Sequence, residues 1–320
     1  MSRRILVLGA DGFIGRRVVS ALAASSWALP VAAGRRSVPS QDGGIDRIRL
    51  DATDAKAMRQ ALSGMDGVVN CVGGGAETMV LAARQIFGMT NQSGPTVVHL
   101  SSMAVYGPAS GDVNEDQPLR GGTGPYADAK IECERLAAGY PRAVVLRPGC
   151  VYGPGGSQWS ERIARLLVSR RIGDLGAGGD GIANLVHVND VVAAVLSALR
   201  RTECWGRAYN LTQASPPTWN DYFFDYARAL GAVPIRRLSE RRIAIETRLL
   251  APPLKLAEIA AGLVGLGGLI PPPIPPSLAR LWRQEIRLQS DRAECDLGLR
   301  WTDLHRGLAE TASWVASRLG

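Results

Sequence analysis

Three glycines spaced three apart, in Gly9-Ala10-Asp11-Gly12-Phe13-Ile14-Gly15, follow directly on the apolar run Ile5-Leu6-Val7-Leu8. They open a segment, Phe13 to Ala24, whose apolar Ile14, Val18, Val19 and Leu22 recur at helical spacing. Glycine permits a tight turn, lets a ligand come close to the backbone, and lets the helix pack closely on the strand. The unpaired N–H groups and dipole of the helix's opening turn then attract a pyrophosphate. With 37 glycines in the chain the spacing alone says little, and the position between strand and helix gives it meaning. An ordinary strand–turn–helix without a ligand is the alternative. The turn points to dinucleotide binding at Gly9, Gly12, Phe13, Ile14 and Gly15.

The same alternation continues. Strands are expected at 31–33, 45–50, 67–72, 96–100 and 143–146, and helices at 55–62, 76–87 and 126–138. Continuous β-branched runs separated by helices predict an α/β fold, a Rossmann-type doubly wound parallel sheet covered on both faces. After about residue 155 the rhythm changes: Gly173 to Gly181 is glycine-rich, 182–188 reads as a strand and 191–199 as a helix. Beyond Leu211, helical segments are broken by Pro216-Pro217, Pro252-Pro253, Pro271-Pro272-Pro273 and Pro275-Pro276. Asp303 to Leu319 reads as a closing amphipathic helix with Leu304, Leu308, Trp314 and Val315 on one face. The expected division is a dinucleotide-binding domain at 1–170, to which 182–212 returns, and a smaller, mainly helical substrate-binding lobe at 213–320.

Lys and Arg number 37 against 29 Asp and Glu, a formal charge of +8. That balance invites a nucleic-acid or membrane reading. The arginine pairs are dispersed, however, and no run of five like charges occurs, so a solvated basic surface and no nucleic-acid partner are expected. Five widely spaced cysteines (Cys71, Cys133, Cys150, Cys204, Cys295) and three histidines form neither a disulfide framework nor a metal site. Reduced packing cysteines in a cytoplasmic protein are the expectation. Met1-Ser2-Arg3-Arg4 lacks a signal-peptide layout. The most membrane-like stretch, Ile259 to Ile270, has twelve residues where a span needs roughly twenty, so no transmembrane segment is expected.

A dinucleotide site must also recognise the adenosine ribose near the end of the second strand. A carboxylate there bonds the 2′-hydroxyl of NAD, whereas arginine accommodates the 2′-phosphate of NADP. The chain reads Ala33-Gly34-Arg35-Arg36-Ser37. Two guanidiniums suit a phosphate, so Arg35 and Arg36 favour NADP(H), with NAD(H) the alternative. Two solvent-facing loop arginines are the bland reading.

Tyr126-Ala127-Asp128-Ala129-Lys130 places a phenol and an ammonium at i and i+4, on one helix face, with Pro125 suited to the first turn. A nearby ammonium favours the phenolate and is expected to draw the phenol down from about 10. Such a tyrosine can give a proton to a carbonyl oxygen being reduced, or take one from an alcohol being oxidised. After the fifth strand comes Ser101-Ser102-Met103-Ala104-Val105-Tyr106-Gly107, beyond a strand's carboxyl end, where ligands of open parallel sheets sit. A serine there can steady a developing oxyanion. Two turn serines are the alternative.

With these stretches in order, the chain resembles the extended short-chain dehydrogenase/reductases, the NAD-dependent epimerase/dehydratase family, strongly over about 3–212 and in outline beyond. Gly9-x-x-Gly12-x-x-Gly15 is similar to the family's nucleotide-binding motif, and Asp51-Ala52-Thr53-Asp54 to its adenine-side motif. Arg147-Pro148-Gly149-Cys150-Val151-Tyr152-Gly153-Pro154 and His187-Val188-Asn189-Asp190 resemble two further signatures. The resemblance implies a catalytic triad of Ser102, Tyr126 and Lys130, with Lys130 also bonding the nicotinamide ribose. It implies cofactor contacts at Asp51, Ala52, Cys71, Val72, Gly73, Tyr126, Lys130 and Pro148 as well. There are departures. Asn70-Cys71-Val72-Gly73-Gly74-Gly75 is glycine-richer than the usual segment after the fourth strand. Met89 to Pro95 lacks the usual Asn-x-x-Gly-Thr helix, and Asn189 stands where Asp is common.

Three functions are compatible with these features. An NADPH-dependent reductase (or the reverse dehydrogenase) acting on a small-molecule carbonyl/alcohol pair is favoured by Arg35 and Arg36, which suit a dissociable cofactor. A nucleotide-sugar epimerase or dehydratase holding NAD tightly is the second. A non-catalytic dinucleotide sensor is the third, disfavoured by the intact triad. The proline-rich, apolar run Leu249 to Leu281 loosely resembles that of 3β-hydroxysteroid dehydrogenase/dihydroflavonol reductase-like members. It could line an apolar pocket, dock on a membrane or partner, or be a plain core helix and loop. A homodimer is compatible with all of these.

Overall fold

The computed structural model describes residues 2–36, 45–88, 94–263 and 271–319. The first half runs β1 (Arg3–Leu8), α1 (Gly15–Ala23), β2 (Ala28–Gly34), β3 (Asp46–Arg49), α2 (Ala55–Leu62), β4 (Gly67–Asn70), α3 (Ala76–Phe87), β5 (Thr96–Leu100), β6 (Gly111–Val113), α4 (Pro125–Ala138) and β7 (Ala143–Pro148). The second half runs β8 (Cys150–Tyr152), α5 (Arg162–Val168), β9 (Leu185–His187), α6 (Val188–Arg200), β10 (Ala208–Leu211), α7 (Trp219–Ala229), α8 (Glu240–Ile245), α9 (Ala251–Leu263), α10 (Pro276–Leu281), β11 (Ile286–Leu288), α11 (Asp291–Leu297) and α12 (Leu304–Leu319).

Among the described residues, seven strands form one parallel sheet in the order β10-β7-β5-β4-β1-β2-β3. Leu6 lies between Val31 and Val68 across the ladder. Val7, Val68, Val69, Val97 and Val98 are fully buried, because helices cover both faces of the sheet. Val18, Leu22, Val191 and Val195 of α1 and α6 pack one face. Met58, Met79, Ile86 and Cys133 of α2, α3 and α4 pack the other. Strand order reverses between β1 and β4, which creates the crevice at the strands' carboxyl ends where doubly wound sheets bind ligands.

A second core gathers Ile163 and Leu167 of α5, Trp219, Phe223 and Tyr226 of α7, Trp282, and Leu308 and Val315 of α12. Phe223 meets Trp282 edge-on at 5.4 Å. The face expected of the closing helix is therefore the one that packs. Three expectations shift. The strand expected at 67–72 ends at Asn70, freeing Cys71, Val72 and Gly73 as a loop at the crevice. The strand expected at 182–188 is only Leu185–His187 and pairs with β8, outside the main sheet. It stops there because α6 begins at Val188, with His187 Nδ1 accepting the Asn189 N–H at 3.4 Å. Finally, β6 and β11 pair across some 175 residues of chain, a contact no local pattern announces. The unusual stretch Met89 to Pro95 lies largely outside the described residues.

Candidate active site

The site begins at the turn after β1. Gly9 has φ 72°, and a Cβ there would stand 2.6 Å from the Cys71 carbonyl oxygen. A Cβ on Gly15 would run into the Gly9 carbonyl, so a side chain at either position displaces the turn. Arg17 secures the turn from behind. Its guanidinium lies 5.0 Å above the Phe13 ring and donates to the Pro154 carbonyl, tying α1 to the loop after β8.

Arg35 and Arg36, at the end of β2, face the same cleft. Asp51 accepts from the Thr53 N–H at 3.0 Å and the Thr53 hydroxyl at 2.8 Å. Those two bonds hold its carboxyl below the usual range against the effect of burial, and the charge of Arg35 adds to the lowering. Sequence reasoning misses Asp11, having treated the turn as backbone only. Its carboxylate sits over Gly34 and pairs with Arg47 at 3.8 Å.

The groups expected to react come from the end of β5 and from α4. Ser102 follows β5 and caps a short 3-10 turn, its Oγ accepting the Ala104 N–H at 3.2 Å. Gly124, at φ 142°, turns the chain into Pro125, so that Tyr126 enters on the first turn of α4. Lys130 stands one turn on, 5% exposed, its Nζ donating to the Leu100 carbonyl at 2.6 Å and lying 5.8 Å from the Tyr126 ring centre. Tyr126 is 50% exposed. Half-buried Cys71 and buried Cys133 flank the Lys130 ammonium, and desolvation pushes the Cys71 thiol up to about 12.

One expectation is reversed. The Tyr126 phenol is not drawn down by Lys130: desolvation in the cleft raises it, and the nearby Ser102 hydroxyl opposes that rise. Lys130 spends its shortest bond on Leu100, and burial lowers its own ammonium. The acid form of Tyr126 is therefore the resting form without cofactor. Difference absorbance titration of cofactor-free protein against Tyr126→Phe should show Tyr126 ionising at higher pH than an exposed tyrosine. A step near neutral pH would restore the opposite direction.

Beneath this surface lies a buried ionic network. Glu134, one turn after Lys130, takes Arg147 Nε at 3.1 Å and Nη2 at 2.7 Å, and accepts the Ser101 hydroxyl at 2.5 Å. Arg147 also donates to the Tyr106 hydroxyl at 2.8 Å and the Glu115 carbonyl at 2.9 Å. Ser101 adjoins Ser102 and Glu134 shares α4 with Tyr126 and Lys130, so the network fixes β5, β7 and α4 to one another under the triad.

The cleft over these groups has a volume of about 1720 Å³. Every position expected at cofactor or reaction lines it: Gly9, Gly12, Phe13, Ile14, Gly15, Arg35, Arg36, Asp51, Ala52, Cys71, Val72, Gly73, Ser102, Tyr126, Lys130 and Pro148. The residues present fit a dinucleotide. The glycine turn presents backbone rather than side chains, Gly73 and Gly74 adjoin open space, and two guanidiniums stand at the adenosine end. Beyond Tyr126 the wall is built by Trp159, Arg162 and Arg283, which sequence reasoning does not single out, and by Leu278 and Arg280, which fall in the run Leu249 to Leu281 considered for an apolar pocket. They come from the turn ahead of α5, the start of α5, and α10 with the turn after it, and only tertiary packing brings them together.

Comparison with known proteins agrees with this geometry. The model of the NAD dependent epimerase/dehydratase family matches residues 5–212. The chain is 27% identical over 259 residues to a 2-alkyl-3-oxoalkanoate reductase of Stenotrophomonas maltophilia (strain K279a), a match covering 72% of this chain and 76% of that one. It is 28% identical over 266 residues to a 3-diazoavenalumate denitrifying reductase of Streptomyces sp, covering 73% and 84%. Among solved structures, MoeE5 in complex with UDP-glucose and NAD superposes with a TM-score of 0.69 at 25% identity, over 99% of this chain and 100% of that one.

Proposed function

Since the chain belongs to the NAD-dependent epimerase/dehydratase family, we propose that it is an NADP(H)-dependent reductase of a small-molecule carbonyl compound. The observation that supports this reading is that Arg35 and Arg36, just past β2, line the same cleft as Ser102, Tyr126 and Lys130. Guanidiniums there match a 2′-phosphate, and the one carboxylate over the end of β2 among the described residues, Asp11, is turned toward Arg47. The bound nicotinamide dinucleotide would supply the hydride. Tyr126 gives its phenolic proton to the substrate oxygen as negative charge develops, and Ser102 steadies that oxygen. Lys130, anchored on Leu100, holds a positive charge beside the phenol and would hold the nicotinamide ribose when the dinucleotide is bound. Residues 213–320 serve as the substrate lobe, with α10 as the wall that meets the substrate.

Two relatives whose names say reductase support net redox, and a panel of 3-oxoacyl carboxylates and simpler ketones is the substrate set to try first. The likeness to MoeE5, which holds UDP-glucose and NAD, favours the second reading, an epimerase or dehydratase with retained NAD. Cofactor preference separates them. Arg35→Asp should lower kcat/KM for NADPH about tenfold to a hundredfold while sparing NADH, the loss expected for a charge-assisted contact. An unchanged preference in steady-state kinetics with both cofactors would remove Arg35 from this role.

A further inference from the structure

A surface helix ordinarily turns its apolar stripe inward. The segment formed by α8, the turn Glu246–Leu250 and α9 does the reverse. Its protein-facing positions are Glu246, Thr247 and Ala251, all buried. Glu246 accepts Arg171 Nε at 3.1 Å, and the Thr247 hydroxyl donates back to the Ile243 carbonyl at 2.8 Å. Its outward positions are Ile245, Leu249, Leu256 and Ile259, exposed by 48, 67, 70 and 54%. With exposed Pro252 between them, these outward apolar positions recur every three or four residues on either side of the π-helical turn Glu246–Leu250. The Glu246–Arg171 pair and the packing of Ile243 on the second core hold the segment to the protein, while its large exposed apolar side chains face outside.

What covers that stripe is indicated by charge. Arg241, Arg242, Arg248 and Lys255 are exposed along the same segment. Among the described residues the three arginines make no ion pair, while Lys255 meets Glu258 at 2.8 Å and Glu240 is taken by Arg283 at 3.1 Å. The whole chain carries +8. A second copy seated on this face in a two-fold contact would set the arginines against themselves. An anionic lipid surface takes both features, apolar side chains among the acyl chains and guanidiniums at the headgroups. No described helix is long and apolar enough to cross a membrane, so the segment would lie in the plane of the interface.

We propose that residues 240–260 dock the protein on anionic membranes. The inference is independent of the reductase reading. It has a consequence for it, because Arg171 grips both Glu246 and the Pro272 carbonyl, at 2.8 Å, just ahead of α10 on the cleft wall. The substrate end of the cleft is thereby linked to the docked segment.

Co-sedimentation of the full chain with phosphatidylcholine vesicles, with and without about 30 mol % phosphatidylglycerol, tests this. The expected result is binding to the anionic vesicles that weakens with salt, and little binding to phosphatidylcholine alone. Leu249→Glu with Leu256→Glu should lower the partition coefficient at least about tenfold. Both side chains are exposed, so thermal midpoint and dinucleotide affinity should be retained. Arg241→Glu with Arg248→Glu, which leaves the stripe intact, should weaken binding by about fivefold per charge removed. Failure of the wild type to bind either vesicle would overturn the proposal, as would equal binding by the folded leucine variant. A wild-type dimer that this variant dissociates, without vesicle binding, would assign the stripe to a second copy instead.

Discussion

Tyr126→Phe should lower kcat by about 10²-fold or more while leaving dinucleotide affinity near that of the wild type. The substitution removes one oxygen from a ring that is half exposed in the cleft, and it leaves α4 and Lys130 in place. What disappears is the phenolic proton donor that lines the cleft with Ser102. Desolvation in the cleft shifts that phenol toward its protonated form, the form that gives a proton, and the Phe variant should be slow at every pH. Stopped-flow turnover with cofactor titration separates the two quantities. Near-normal turnover in the variant would take the acid role away from Tyr126.

The second large effect is on stability. Glu134→Ala should destabilise the protein by about 3–5 kcal/mol, because it leaves the Arg147 guanidinium buried without its carboxylate. Glu134 and Arg147 are each about 6% exposed, and Ser101 loses its acceptor as well. Glu132, two residues earlier on the same helix, provides the control. Its pairs with Arg84 at 3.8 Å and Arg135 at 3.6 Å are largely in solvent, so Glu132→Ala should change stability by less than about 1 kcal/mol. Denaturant unfolding of both variants checks the contrast, and equal effects would show that the buried network contributes no more than a surface pair.

The parallel sheet and its glycine turn are legible in the sequence because they rest on local patterns, β-branched runs and a strand–turn–helix order. The meeting of Ser102, Tyr126 and Lys130 in one cleft is legible for a similar reason: Tyr126 and Lys130 are four apart on one helix, and Ser102 sits at a strand's carboxyl end. The protonation of Tyr126 is not, since spacing shows that an ammonium is near but not that its proton is committed to the Leu100 carbonyl. Nor is the substrate wall, where Trp159 and Arg162 meet α10 only after more than a hundred intervening residues have folded. β10 escapes notice because Tyr209-Asn210 breaks its apolar run; Asn210 is buried there by a bond from its N–H to Glu115 at 2.8 Å.

Hydride transfer to an external substrate, with the cofactor free to leave, is the claim on which the functional reading depends. Incubating the purified protein with C4-deuterated NADPH and the ketone panel, then analysing products by mass spectrometry, addresses it directly. The expected result is deuterium on the carbinol carbon, equimolar NADP⁺ in solution, and loss of both in Tyr126→Phe. Stoichiometric NAD retained on the protein, with no label leaving and a nucleotide sugar inverted or dehydrated instead, would contradict it.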